Sequence, residues 1–148
     1  MSDFYIGVDP GKNGGVSVLK GRELYALRSF PPTEQEIWEL FDSLPHGRVV
    51  LEKVHSRPGM SSRAVFTFGV NYGFIRACLV ACEFPFVERI PQKWMSALSL
   101  RKRKDSETTS QWKNYLKSQG QQLYPKAHIT LKTADALLIS EYSRIINS

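Results

Sequence analysis

The sequence has little cysteine, no long uninterrupted apolar run and fewer acids than bases. Its two cysteines, Cys78 and Cys82, lie four residues apart, and no further Cys or His stands at metal-ligand spacing. This pattern argues against a disulfide framework or a zinc site and favours reduced core residues. No run of about 18 apolar residues is available to span a bilayer, and the start Met-Ser-Asp lacks the features of a signal peptide. We therefore expect a soluble cytoplasmic protein with no membrane partner.

The shortage of acid is confined to one part of the chain. The sequence holds 20 Lys and Arg against 14 Asp and Glu, a net charge of +6. Residues 89 to 126 hold nine of those bases and two of those acids, so this segment carries +7 and the remainder −1. A clustered basic surface suits a polyanionic partner, because counterion release from phosphates rewards clustering. A solvated face that only aids solubility is the alternative.

The length of 148 residues predicts a single domain, residues 1–148, with one core. Apolar runs, turn residues and capping signals indicate the order β-β-β-α-β-α-β-α-α, with one further short helix directly after the last strand. The predicted elements are a hairpin from Phe4 to Leu19, a strand from Arg22 to Ser29, a helix from Thr33 to about Leu44, a strand from Val49 to Leu51, a loop from Val54 to Ser62, a helix from Arg63 to Cys82, a strand from Pro85 to Ile90, a short helix opening at Pro91, a helix capped by Ser106 and broken by Gly120 and Pro125, and a helix from about Thr133 to Ile146. This order predicts an α/β domain with a mixed central sheet flanked by helices.

Three acids occupy positions where acids are unusual. Asp9 and Glu52 end apolar strands, and Asp135 interrupts the apolar start of the last helix. If the two strands are neighbours and the helix crosses their ends, the three carboxylates converge, and converging carboxylates repel unless cations hold them together. Oxygen ligands select hard ions such as Mg²⁺ or Mn²⁺, which suits phosphodiester chemistry. The alternative for Asp9 is a turn-starting hydrogen bond to its own backbone.

Five motifs, in this order, resemble those of RuvC-type Holliday junction resolvases of the phage and bacterial type. They are Ile-Gly-Val-Asp-Pro-Gly (6 to 11), Leu-Glu-Lys-Val-His (51 to 55), Ser-Ser-Arg-Ala-Val-Phe-Thr-Phe-Gly (61 to 69), Pro-Gln-Lys-Trp (91 to 94) and Ala-Asp-Ala-Leu-Leu-Ile (134 to 139). The resemblance covers nearly the whole chain. It implies an RNase H-like fold and a homodimer in the cytoplasm of a bacterial or phage-infected cell. The implied activity is a pair of symmetric, Mg²⁺-dependent nicks across a four-way DNA junction.

The resemblance also implies roles for particular residues. Asp9, Glu52 and Asp135 match the family's metal-binding acids, which would hold two Mg²⁺ ions, with Mn²⁺ able to substitute. Lys93 and Lys104 resemble basic residues near the scissile phosphate, and we expect Lys104 to act in catalysis. The expected DNA contacts lie in the loop, the start of the long helix and the basic segment: Arg57, Ser61, Ser62, Arg63, Phe66, Phe68, Lys93, Arg101, Lys102, Arg103 and Lys104.

Two further features of the chain bear on these roles. Gly69 and Gly73, four apart on the long helix, predict a small-residue face at which a second subunit could pack. The family usually carries an acidic or His-Gly element before its Ala-Asp-Ala, whereas this chain reads His-Ile-Thr-Leu-Lys-Thr from 128 to 133. Lys132 and Thr133 thus stand where a fourth ligand is expected, and His128 could replace that ligand if the loop folds back.

Other functions stay open at this point. One is a less selective nuclease acting on flaps and other branched DNA. Another, which Lys132 favours, is a junction-binding module whose catalysis has weakened. A third, a phosphate loop of the sugar-kinase and actin type in the turn from Asp9 to Gly15, needs two such domains, and the chain is too short for them.

Overall fold

A computed structural model describes residues 3–148, and within that range the chain forms five strands and five helices around a single sheet. The elements in chain order are β1 Phe4–Asp9, β2 Gly15–Lys20, β3 Glu23–Ser29, α1 Glu34–Ser43, β4 Arg48–Glu52, α2 Ser62–Ala81, β5 Phe86–Arg89, α3 Pro91–Ala97, α4 Thr109–Leu123 and α5 Ala134–Asn147. The predicted α/β architecture with a mixed sheet is confirmed.

The sheet has the order β3-β2-β1-β4-β5. The first three strands form an antiparallel meander, and β4 and β5 extend it with parallel pairing beside β1. Helices α1 and α2 cover one face, where Ile6, Val8 and Leu51 pack with Phe41 and Ile75. Helices α3, α4 and α5 cover the other face. Both faces of the central strands are therefore buried.

Gly7 sets how closely α5 approaches the sheet. A Cβ atom built on Gly7 would lie 2.2 Å from the Ser140 nitrogen and 2.4 Å from the Ala136 oxygen, so the α5 backbone rests directly on β1. The Ser140 hydroxyl lies 2.8 Å from the Ser17 hydroxyl on the neighbouring strand, which satisfies both buried groups. Since side chains alternate along a strand, Asp9 shares the α5 face with Gly7.

The start of α4 differs from its sequence prediction. The helix is capped by Thr108, not Ser106, because Thr108 and Gln111 form a capping box in which each side chain accepts a backbone N–H of the other residue. Gly120 does not break the helix, which continues to Leu123, and instead lies buried against Leu137 and Ile129. Here tertiary packing outweighs the low helix propensity of glycine.

Helix α2 is apolar but mostly uncovered. Of its 20 residues only Ile75, Cys78 and Leu79 are buried, and all three belong to the core beneath α1 and α2. By length and composition alone the helix is also long and apolar enough to cross a membrane, with a mean hydropathy of 1.5 and 17% of the tested window buried. The helix is nevertheless not an uninterrupted apolar run, because Arg63, Asn71 and Arg76 lie within it, and most of its outer face is exposed in the described chain.

Candidate active site

Asp9 and Glu52 lie side by side at one edge of the sheet. In the parallel pairing of β1 with β4, Val8 stands opposite Leu51, so the next residue of each strand is one of these acids. Paired residues of neighbouring strands point to the same face at a strand spacing of about 4.8 Å. The register thus brings the two carboxylates together on the face covered by α5.

Asp135 reaches the same edge from the first turn of α5. It adjoins Ala136, whose carbonyl packs on Gly7, two residues before Asp9. The close contact permitted by Gly7 therefore places the third acid over the ends of β1 and β4. The expected convergence of three carboxylates is also visible in their electrostatics, because Asp135 raises the pKa of both Asp9 and Glu52.

Burial is the main cause of the raised pKa values of these three acids. It raises the pKa of Asp9 well above its ordinary value, and the neighbouring charges of Asp135 and Glu52 raise it further. Burial, with the charge of Asp135, raises the pKa of Glu52 to about 7, and burial raises the pKa of Asp135 to about 6. Such values mean that the protein alone accommodates these negative charges poorly.

Two residues without a role in the sequence prediction contribute to the site. Trp94, fully buried on α3, donates its indole N–H to Glu52 at 2.8 Å and so opposes the rise in the pKa of that carboxyl. Lys113 on α4 lowers the pKa of both Asp9 and Asp135 through its charge. Trp94 follows Lys93 in the Pro-Gln-Lys-Trp motif, and this motif could have identified Trp94 as a residue of the site. Lys113 carries no comparable signal, since its place depends on how α4 packs.

The donor set fits a hard divalent cation in its chemistry, because it consists of carboxylate oxygens close enough for Asp135 to raise the pKa of both Asp9 and Glu52. In the described part of the chain, residues 3–148, no group of three or more His, Cys, Asp or Glu side chains is arranged closely enough to hold a metal ion. His128 and Lys132 are exposed, and neither forms a hydrogen bond or ion pair with the three acids. The predicted metal ligation thus stays a prediction.

The loop from 101 to 108 is organised by Arg101. Its guanidinium donates to both carboxylate oxygens of Glu107, at 3.0 and 2.7 Å, and stacks over the rings of Tyr115 and Trp112. The hydrogen bonds from Arg101 are the largest cause of the lowering of the Glu107 pKa to about 2. Arg101, predicted to contact DNA, is therefore already engaged within the protein.

The other cations of this loop differ in their engagement. Arg103 donates to the Glu107 carbonyl at 3.2 Å and to the Thr109 hydroxyl at 3.3 Å. The side chains of Lys102 and Lys104 are exposed and form no hydrogen bond or ion pair with any residue from 3 to 148. Lys93 is exposed on α3 beside the buried Trp94. These lysines are accessible to a polyanion, whereas the two arginines hold the loop in shape.

The first part of α2 extends beyond the core. None of residues 62–70 is buried, and Phe66 is 73% exposed while Phe68 is partly covered. We call residues 62–70 the overhang; at 1.5 Å per residue it measures about 14 Å. Of the predicted DNA contacts nearby, Arg57, Ser62 and Arg63 are exposed. The Ser61 hydroxyl caps the helix by accepting the Ala64 N–H at 3.1 Å.

The fold is that of RuvC. A solved structure described as T. thermophilus RuvC in complex with Holliday junction substrate matches with a TM-score of 0.66 at 14% identity, covering 97% of this chain and 96% of that chain. A second, described as Thermus thermophilus RuvC structure, matches with a TM-score of 0.59 at 16% identity, covering 94% and 92%. No protein-family model and no curated protein matches the sequence. The likeness confirms the RNase H-like fold implied by the five motifs.

Proposed function

We propose that the protein is a divalent-metal-dependent endonuclease that resolves four-way DNA junctions by paired symmetric nicks. The observation that carries the proposal is the convergence of Asp9, Glu52 and Asp135 at one edge of a sheet with the RuvC fold. Three acids with raised pKa values, of which Glu52 is buried and the other two are partly buried, are costly unless they bind a cation. A site of this kind beside a basic segment suits the hydrolysis of a phosphate backbone.

The three acids would hold Mg²⁺, with Mn²⁺ as a substitute. Such an ion would supply an activated water and would neutralise charge at the phosphate, chemistry that leaves 5′-phosphate and 3′-hydroxyl ends. The Trp94 N–H fixes one oxygen of Glu52 and leaves the other for ligation. Binding of the cation would release protons from the carboxyl groups whose pKa is raised, because these groups must be ionised to act as ligands.

Positive charge at the site would come from Lys113. Its charge lowers the pKa of both Asp9 and Asp135, which favours this lysine for the role. A lysine there would neutralise negative charge that builds on the phosphate in the transition state. Lys104, expected for that role from the sequence, would serve with Lys102 to hold the DNA backbone.

The overhang would recognise the branch point. Phe66 is the most exposed aromatic side chain among the large hydrophobic residues of the described chain, and a ring of this kind can stack on an unpaired base irrespective of its identity. Phe68 lies two residues further on and is partly covered. Junction selectivity is expected to follow from this contact, since a linear duplex offers no unstacked base.

A homodimer would supply the second active site that paired nicks require. The outer face of α2 carries small and apolar residues at helical spacing, namely Gly69, Val70, Gly73, Ala77 and Val80. A Cβ atom on either glycine would meet nothing within 4 Å, so the monomer does not require glycine there. Close packing of a second α2 against this face would require glycine at both positions. Val70→Asp should convert a dimer to a monomer in sedimentation velocity, and a wild-type monomer would contradict the proposal.

The decisive experiment is cleavage of a labelled four-way junction and its linear arm in Mg²⁺, with Asp9→Asn and Asp135→Asn as variants. We expect paired nicks in opposite strands of the junction only, lost in both variants while junction binding persists. Comparable cutting of flap and three-way DNA would support the less selective nuclease. Tight binding of the junction with no nick in Mg²⁺ or Mn²⁺ would support the binding module and would refute the resolvase.

A further inference from the structure

The turn that follows Asp9 is attached to α2 by one side chain. Gly11 donates its backbone N–H to the Asn71 side-chain oxygen at 2.9 Å, across 60 residues of sequence. Gly11 has a φ of +114°, a conformation suited to glycine, and a Cβ atom there would meet nothing within 4 Å. The turn thus uses glycine for its backbone shape, and its outer side is held by Asn71 instead of by packing.

The rest of this turn is closed on Asp9 itself. Gly14 donates to the Gly11 carbonyl at 3.1 Å and accepts from Phe30 at 3.1 Å. A Cβ atom on Gly14 would lie 1.9 Å from the Asp9 carbonyl oxygen, so the chain folds back tightly onto Asp9. A displacement of the Gly11 peptide would therefore be passed directly to the residue that carries the carboxylate. Glycine-rich turns tolerate such displacement readily, because glycine has the widest conformational freedom.

The same turn of α2 is also anchored at the other side of the site. Tyr72 donates its hydroxyl to Glu88, which pairs with Arg76 at 3.1 Å. Glu88 stands opposite Leu51 in the β4–β5 register, one residue before Glu52. Residues 71 and 72 therefore connect α2 to the turn after β1 and to β5, the neighbour of the strand that carries Glu52, at the point where the overhang begins.

We propose that Asn71 is a positioning residue, which holds the turn after Asp9 to α2 and so fixes the direction in which the Asp9 backbone presents its carboxylate. Asn71 touches neither DNA nor a reacting atom in this role. The assignment rests on the proposed nuclease function for its catalytic consequence, whereas the attachment itself can be measured without activity. A contact made on α2, either by DNA at the overhang or by a second subunit, would then be connected through Asn71 to the turn after Asp9.

The test compares Asn71→Leu, which keeps the size and removes the acceptor, with Asn71→Asp, which keeps the acceptor. Hydrogen exchange of the Gly11 amide, followed by NMR on uniformly labelled protein, reports the attachment directly. We expect exchange to be about tenfold faster in the Leu variant and close to wild type in the Asp variant. Tyr72→Phe is the matched control, because it loosens α2 from β5 and leaves the Gly11 hydrogen bond in place.

The catalytic consequence is read from single-turnover nicking at saturating protein, beside junction affinity in Ca²⁺. A misplaced ligand should slow nicking about tenfold or more in Asn71→Leu with the affinity unchanged, and Asn71→Asp should restore the rate. Unchanged Gly11 exchange in the Leu variant, or equally fast exchange in Tyr72→Phe, overturns the proposal, as does faster exchange with an unaltered nicking rate. If the wild type binds junctions and never nicks them, the proposed nuclease function fails. The Asn71 attachment is then judged only by exchange of the Gly11 amide and by a shift of the Asp9 amide resonance, both measured in Asn71→Leu.

Discussion

In the presence of EDTA, raising the pH from 4 to 8.5 is expected to destabilise the protein. The cause is Glu52, which is 7% exposed and whose pKa burial and Asp135 raise from 4.5 to about 7. Between these two values the unfolded chain releases the proton that the folded chain retains, so folding is favoured most at low pH. This stabilisation is complete below the unfolded pKa and is lost as the pH rises through the folded value.

The size of the effect follows from the same two numbers. The difference between 7 and 4.5 is 2.5 pH units, and each unit corresponds to about 1.4 kcal/mol, which gives about 3 kcal/mol for Glu52. Most of this loss falls between pH 5 and 8. For a domain of this length the loss lowers the melting temperature by roughly 6 to 12 °C. Asp135, whose pKa is raised to about 6, acts in the same direction.

Urea denaturation at a series of pH values in EDTA measures this dependence. Glu52→Gln is the control, because a glutamine oxygen can still accept the Trp94 N–H while carrying no charge. The variant should lose the part of the slope that belongs to Glu52, and Mg²⁺ should stabilise the wild type more at pH 8 than at pH 5. A free energy of unfolding that rises over this pH range, or an identical slope in Glu52→Gln, would refute the electrostatic description of the site.

Three further predictions test the placement of single residues. Lys113→Met should slow nicking more than Lys104→Met at equal junction occupancy, because the charge of Lys113 acts on the acids; a greater loss in Lys104→Met would return the catalytic role to Lys104. Phe66→Ala should cost about 1 to 3 kcal/mol of four-way junction affinity, measured by titration, and less on linear duplex; equal losses would mean that the ring contacts no branch point. Gly7→Ala should destabilise the protein by about 3 kcal/mol or more in urea, since the added methyl collides with the α5 backbone, whereas Gly120→Ala, where the nearest atom is at 3.4 Å, should be nearly neutral.

Most of the fold could be predicted because its signals are local. Apolar runs, turn residues and caps identify each element to within a few residues, and two strands ending in acids identify the functional edge. The pairing of β1 with β4 was an assumption from the sequence alone, since a parallel register depends on the packing of the whole domain. Ser106 is a residue type that often caps helices and it precedes α4, but the capping box with Gln111 selects Thr108 instead.

Prediction of the site stopped where its members meet only through tertiary packing. Asp9, Glu52 and Asp135 were identifiable because an acid is anomalous in an apolar element. Lys113 was not, because a lysine on the polar side of an amphipathic helix is ordinary, and only the crossing of α4 over α5 gives it a role. The reverse holds for Arg101, which looked like one of four equivalent cations and is bound to Glu107 instead.

The two opposite charges of the proposed site depend on the same packing contact. Leu116 on α4 is buried against Leu138 and Ile139 of α5, the helix that carries Asp135. Helix α4 also carries Lys113, and the basic loop that presents Lys102 and Lys104 leads directly into this helix. Negative carboxylates alone would repel a DNA backbone, and lysines alone would bind it without cutting it. Because one helix pair brings the two sets together, the spacing between the three acids and these lysines is fixed by a hydrophobic contact that involves neither set.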